Sequence, residues 1–350
     1  MAGFPLNARP TIADVAKLAG VSVSTVDRVL NGRAPVRSDT ASRIQMAADS
    51  LGFHAAGVLR ERVKGVQPRC TLGFILQEPK SHFYRAVGRA LEDATEAESS
   101  IRGQARVLYM DDISPEAVSE KIREFGEHVD ALAVAAGDHP MVAASVEHLV
   151  AKHIPVFTLI TDLNTSARAG YVGLDNRRKG RIAAWYISQL AREPGPIAIF
   201  VGTHRIQCQE LCEMSFRSYI RELAPQFEVL EPIVTMESEQ VAMEGMREIL
   251  RRHSGLAGFY VVGSGVEGVL RALDAEGNHA ELAKLIGVGH EQTPATRQGL
   301  VAKQLHAVLS HPVDLLAKRM VNAMAARITQ GPQSMQQIIV PLTIQNPESV

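Results

Sequence analysis

The stretch Thr11–Gly32, TIADVAKLAGVSVSTVDRVLNG, constrains this chain more than any other. Thr11 is placed to cap a helix, with Asp14 three residues on as the acidic partner of a capping box. Ile12, Val15, Ala16 and Ala19 then fall at i, i+3, i+4 and i+7, which gives one apolar stripe. Gly20 supplies the left-handed residue that ends such a helix. Ser22 can cap a second helix, which runs through Val23, Val26, Val29 and Leu30 to Asn31-Gly32. Ser24, Thr25, Asp27, Arg28 and Asn31 stay off its apolar stripe. Two short helices around a glycine turn, the second with a polar outer face, predict a helix-turn-helix.

A loop with Pro35 follows, and then a third helix with Ile44, Ala47, Ala48 and Leu51 on one face, ended by Gly52. The expected core of this head is Ile12, Val15, Val26, Val29, Leu30, Ile44, Ala47 and Leu51. Residues 1–66 hold nine Lys/Arg against five Asp/Glu, a balance of +4, so a net charge of −1 leaves −5 for the rest of the chain. A small basic head on an acidic body fits a nucleic-acid-binding module carrying another domain. Three cysteines, Cys70, Cys208 and Cys212, are too few for a disulfide framework and predict free thiols. No run of 18 apolar residues occurs, and MAGFPLNARP lacks the apolar core of a secretion signal, so the expected location is the cytoplasm.

From Gln67 onward, strands alternate with amphipathic helices. Short apolar strands are expected near 70–77, 105–110, 131–136, 155–160, 197–201, 228–234, 258–262, 285–289 and 306–309. That pattern predicts an α/β body of parallel sheets covered on both faces, divided into two lobes because its strands exceed one comfortable sheet. The expected division is a flexible lead over 1–10, a helix-turn-helix domain over 11–53, a hinge over 54–67 and a two-lobed domain over 68–350. The lobe break is placed at the polar stretch 161–170, with YVGLDN opening the second lobe and the chain returning to the first near 291–310.

The string AKLAGVSVSTVDRVLNG, followed by a third helix, resembles the head of the lactose-repressor (LacI) family of bacterial transcription regulators, nearly without gaps from Thr11 to Phe53. GFILQ, VFTLITD, YVGLDN and VGHEQTPATRQGL resemble landmarks of the sugar-binding effector domains of these regulators and of periplasmic sugar-binding proteins. The resemblance implies a two-lobed, periplasmic-binding-protein-like fold. It also implies a homodimer, or a tetramer, that represses transcription from operator DNA under control of a sugar-like effector. The hinge departs from the family pattern. Ala55-Ala56 stand where Pro-Asn is usual and Arg62 where a leucine wedge enters the minor groove, which leaves Leu59 or Val63 for that part. Asp27 stands where the family usually has serine, and can orient Arg28 or accept from a cytosine amino group.

Candidate DNA contacts follow from chemistry and position. Arg28 can give two hydrogen bonds to a guanine edge or clamp a phosphate, Ser24 and Thr25 are short enough to reach a base or phosphate, and Val23 can meet a thymine methyl. Thr11 and Asn31 flank these, and each doubles as a helix cap; Arg33 and Arg37 suit phosphates from the loop. Candidate effector contacts sit just after expected strands, where α/β sheets bind ligands: Phe83 and Tyr84 for a sugar face, then Asp138, His139, Asp162, Asp175, His204, Arg205, His290 and Glu291 for hydroxyls. Each polar one can equally cap a helix.

A rival reading rests on Gly263-Ser264-Gly265-Val266-Glu267-Gly268, a GxGxxG between an expected strand and helix, with Glu291 28 residues past the first glycine. It would make the chain a dinucleotide-binding enzyme or sensor. No Ser-His-Asp string, GxSxG elbow, P-loop or HExxH is present, so neither an enzyme nor a cofactor or metal is expected.

Overall fold

A computed structural model describes residues 9–32, 36, 38–59, 67–276 and 282–350. The head is three helices: α1 (Ile12–Ala19), α2 (Val23–Asn31) and α3 (Ser38–Leu51). Thr11 Oγ1 accepts the Asp14 N–H at 3.3 Å while the Asp14 carboxylate accepts the Thr11 N–H at 2.9 Å, closing the capping box. Gly20, at φ +64°, turns the chain into Ser22, whose hydroxyl caps α2. Arg43 of α3 locks this turn by donating to the carbonyls of Ala19 and Gly20 at 2.5–3.2 Å. Val15, Val26, Val29, Ile44, Ala47 and Phe53 fill the core, each large side chain contributing roughly 1.5–3 kcal/mol of burial. Residues 56–59 add a helical turn, and Leu59 is fully buried in the same core.

The body has two sheets. The first is built from β1 (Arg69–Gln77), β2 (Arg102–Met110), β3 (Ala131–Val134), β4 (Val156–Leu159), β5 (Gly170–Gly173) and β12 (Gln336–Ile339), in the order β12-β5-β4-β3-β1-β2, all parallel. Helices α4 (His82–Ala97), α5 (Pro115–Gly126), α6 (Pro140–Ala151) and α12 (Val313–Gln330) cover it. The second sheet contains β6 (Pro196–Val201), β7 (Glu228–Val229), β8 (Ile233–Val234), β9 (Gly258–Val261), β10 (Ile286–His290), β11 (Ala307–Ser310) and β13 (Thr343–Gln345). Its order is β13-β11-β10-β9-β6-β7, with β8 also on β6 and only β13 antiparallel. Helices α7 (Asn176–Leu190), α8 (Gln207–Leu223), α9 (Glu239–Arg252), α10 (Val266–Ala275) and α11 (Pro294–Val301) cover it. Central strands such as ALAV in β3 and VFTL in β4 are buried throughout, as strands covered on both faces must be.

Three expectations about the body are corrected. The YVG strand, β5, does not open the second lobe; it pairs with β4 in the first sheet, and 161–170 is a loop within that lobe. The crossing follows Leu174, after which α7 packs on the second sheet. The return comes after β11, because residues 307–310 still pair with β10, and α12 is the first element back on the first lobe. A third crossing carries the chain from β12 to β13. Finally, 228–234 is two short strands rather than one. Sheet membership depends on pairing partners distant in sequence, which apolar periodicity does not report.

Candidate functional site

On the head, Ser24, Arg28 and Asn31 are exposed on one side of α2, and Val23 is half exposed at its start. Arg28 lies back over the first turn, its Nε donating to the Ser24 carbonyl at 3.3 Å and its Nη2 to Thr25 Oγ1 at 3.4 Å. Thr25 Oγ1 and Ser22 Oγ are 2.7 Å apart. The Asp27 carboxylate accepts from Asn31 Nδ2 at 2.7 Å. Thr11 is engaged in the cap of α1. Leu59 is not available as a wedge, because the head core encloses it. Arg33, Arg37 and Arg62 lie outside the described residues.

Between the lobes, at the carboxyl ends of their strands, lies a cavity of about 700 Å³. Of seven non-glycine residues with positive φ among those described, five line it: Glu78, Ile160, Met236, Glu237 and Glu291. Backbone held in this sparsely populated region gathers at ligand sites because the surrounding fold must over-determine it. The lobes touch around the cavity. The Asp138 N–H donates to the Arg205 carbonyl at 2.7 Å, the Cys208 N–H to Thr161 Oγ1 at 3.3 Å, and Ser264 Oγ to Glu78 at 3.1 and 3.2 Å.

Four sequence-predicted residues line this cavity: Phe83, Tyr84, His290 and Glu291. Glu291 accepts from His311 through both ring Nδ1 (2.8 Å) and main-chain N–H (3.0 Å), and stands 3.6 Å from the buried Lys179 ammonium. Burial opposes its charge, yet His311 and Lys179 hold the carboxyl down to about 2. His290 is buried, its Nε2 2.8 Å from the Tyr260 hydroxyl; burial and the Lys179 charge keep it well below the ordinary imidazole range, hence neutral. Burial pushes the Cys208 thiol up to about 12, which makes it an inert wall of the cavity.

The other six predicted residues do not line the cavity. Asp175 caps α7 and His139 caps α6. Asp162 pairs with Arg168 at 2.7 Å and accepts from Thr158. His204 pairs with Glu213 at 2.7 Å. Asp138 and Arg205 meet through main-chain atoms at the lobe contact. The Asp138 carboxylate also accepts the Asn164 N–H at 3.0 Å, so five of the six side chains are taken by a local or structural partner. The sequence reading missed Glu78, Lys179, Gln209, Glu237, Ser264 and His311.

The GxGxxG loop is not a pyrophosphate cradle. The Ser264 N–H, which would meet a phosphate, donates instead to the Glu237 carboxylate at 2.9 Å. Gly263 admits the Gln209 amide, Gly265 takes φ +107°, and a Cβ at Gly268 would lie 2.0 Å from the Glu239 carbonyl oxygen. The glycines serve a turn and the packing of α10 on α9. Glu78, Glu237 and Glu267 surround the loop and would repel a pyrophosphate.

This is a small helix-turn-helix head joined to a two-lobed body with a ligand-sized cleft. The chain belongs to the periplasmic binding protein domain family, matched over residues 72–332, and its head matches the lacI family of bacterial regulatory proteins over residues 11–55. It is 29% identical over 200 residues to a helix-turn-helix-type transcriptional regulator in the aml 5′ region of Streptomyces limosus, covering 56% of this chain and 54% of that one. It is 38% identical over 91 residues to the maltose regulon regulatory protein MalI of Escherichia coli strain K12, covering 25% of each. The chain therefore spans about half the length of the first relative and a quarter of the second. The body has the fold of GanP, a glucose-galactose binding protein from Geobacillus stearothermophilus, with a TM-score of 0.69, 18% identity and coverage of 80% of this chain and 99% of that one.

Proposed function

We propose that this chain is a transcription regulator, a repressor rather than an enzyme, that binds operator DNA as a homodimer in the cytoplasm and is controlled by a small polar effector of the sugar or sugar-derivative class. The observation that carries this reading is the union in one chain of a lacI-family head, with Val23, Ser24 and Arg28 exposed on its second helix, and a body with a 700 Å³ interlobe cleft. Each head presents α2 to the major groove of one half-site. Effector binding between the lobes changes their relative placement and so the presentation of the heads, which couples the two equilibria. The relation of 91 residues of the chain to MalI and of the body fold to a glucose-galactose binding protein supports the regulator and sugar parts of the reading.

The test is selection of bound genomic fragments by the purified protein, followed by titration of the enriched site with wild type and Arg28→Ala. Wild-type affinity is expected to fall steeply between low and moderate salt as phosphate counterions are displaced. Arg28→Ala is expected to weaken binding by about 1–3 kcal/mol at its base position. Failure to enrich any fragment, or a variant that binds as wild type does, refutes the assignment of α2.

A further inference from the structure

The lining of the interlobe cavity is strongly acidic, with six carboxylates against two lysines. Lys179 is taken up by Glu291, and Glu239 by Arg271. Among the described residues, Glu78, Glu237 and Glu267 pair with no basic side chain. Glu78 belongs to the first lobe, while Glu237 and Glu267 belong to the second. Ser264 ties Glu78 to Glu237, its hydroxyl donating to the one and its main-chain N–H to the other. Contact between the lobes therefore brings like charges together across the gap, and that arrangement opposes closure unless positive charge enters.

A second observation marks the same cavity as built for a ligand. His311 lines the cavity with a ring only 2% exposed; its Nδ1 is fixed by Glu291, and its buried Nε2 has no hydrogen-bond partner. A buried polar atom left unpaired is costly, and a ligand polar group relieves that cost. Phe83, its ring centroid 5.6 Å from that of His311, and Tyr84 beside it give the same wall an aromatic surface that suits the C–H groups of a small carbon skeleton.

Resting on the reading that this cleft takes the effector, we infer that the effector is a hydroxylated organic cation of the amino-sugar class, whose ammonium sits among Glu78, Glu237 and Glu267 and whose polar substituents reach His311. The cation bridges the carboxylates of the two lobes, so binding and closure are one event. Burial beside Glu237 raises the Glu78 carboxyl to about 7, which marks this position as short of a positive neighbour. Phosphorylated sugars are excluded by the same charges.

The experiment is a thermal-shift and calorimetric comparison of the full chain with matched probes: glucosamine, galactosamine and mannosamine against the parent hexoses, their N-acetyl forms and their 6-phosphates. The expected result is saturable binding confined to the free amines, weakened at least tenfold in Glu78→Gln. Binding of neutral or phosphorylated sugars that is equal or stronger, and indifferent to Glu78→Gln, overturns the cationic class and leaves the sugar-type effector standing. Absence of binding by every probe overturns both. Ligand-free Glu78→Gln is expected to melt at or above the wild-type temperature. A drop of several degrees assigns Glu78 to the structural contact with Ser264 and overturns the inference.

Discussion

Replacing Glu291 with glutamine isolates the buried ion cluster of Lys179, Glu291 and His311. The shape is kept, but the charge is lost. Lys179, only 4% exposed, then has no carboxylate beside it, and His311 loses an anionic acceptor. A carboxyl carried from its ordinary 4.5 to about 2 by its partners corresponds to roughly 3 kcal/mol of preference for the charged form. Breaking a buried pair by removing one member costs about 3–5 kcal/mol, a range that meets this figure. Because the folded-state pKa is depressed, the stabilisation is fully present above pH 4.5 and is lost as pH falls from 4.5 towards 2. The chain's one tryptophan, Trp185, lies on α7, the same helix as Lys179, so its fluorescence follows unfolding of the second lobe. Urea melts at pH 7 are expected to show Glu291→Gln destabilised by about 3 kcal/mol, with the gap closing in acid. A difference under ~0.5 kcal/mol at pH 7, or a gap that widens in acid, would refute the account of the cluster.

Gly268→Ala places a Cβ against the backbone of α9, 2.0 Å from the Glu239 carbonyl oxygen, so α9 and α10 must separate; a loss of about 1–3 kcal/mol in the same urea melt is expected, and none would show that the helices have room to spare. Leu59→Ala empties a fully enclosed site in the head and is expected to cost it about 2–5 kcal/mol, seen as faster amide exchange across α1 to α3; unchanged exchange alongside weakened DNA bending would restore Leu59 to the wedge role.

The head was legible because its signals are local. Thr11, Asp14, Gly20 and Ser22 act on residues within one turn, and the structure uses each as the spacing predicts. Strand positions were legible for the same reason, whereas the assignment of β5 and β11 to one sheet or the other depends on partners such as Phe157 and Val288. The cleft was half legible. Phe83, Tyr84, His290 and Glu291 follow strands directly, and strand ends define the cleft. Asp162, Asp175 and His204 also follow strands, but Arg168, the α7 N-terminus and Glu213 claim them. No pattern distinguishes a carboxylate that caps from one that faces a ligand. Lys179 reads as an ordinary helix surface lysine until Glu291 arrives from the second sheet. Glu78 and Ser264 meet only when the two lobes do.

Because the chain passes between lobes three times, neither lobe is a continuous piece of polypeptide. The first sheet lacks its edge strand β12 and its covering helix α12 until residues 313–339 have been made. A nascent chain on the ribosome thus holds a finished head and an open-sided first lobe while the whole central part of the second is still being added. The head is free to fold early, since its core closes within residues 12–59. The first lobe is complete only once residues 313–339 are in place, so a chain cut before residue 313 would carry a closed head on an unfinished lobe.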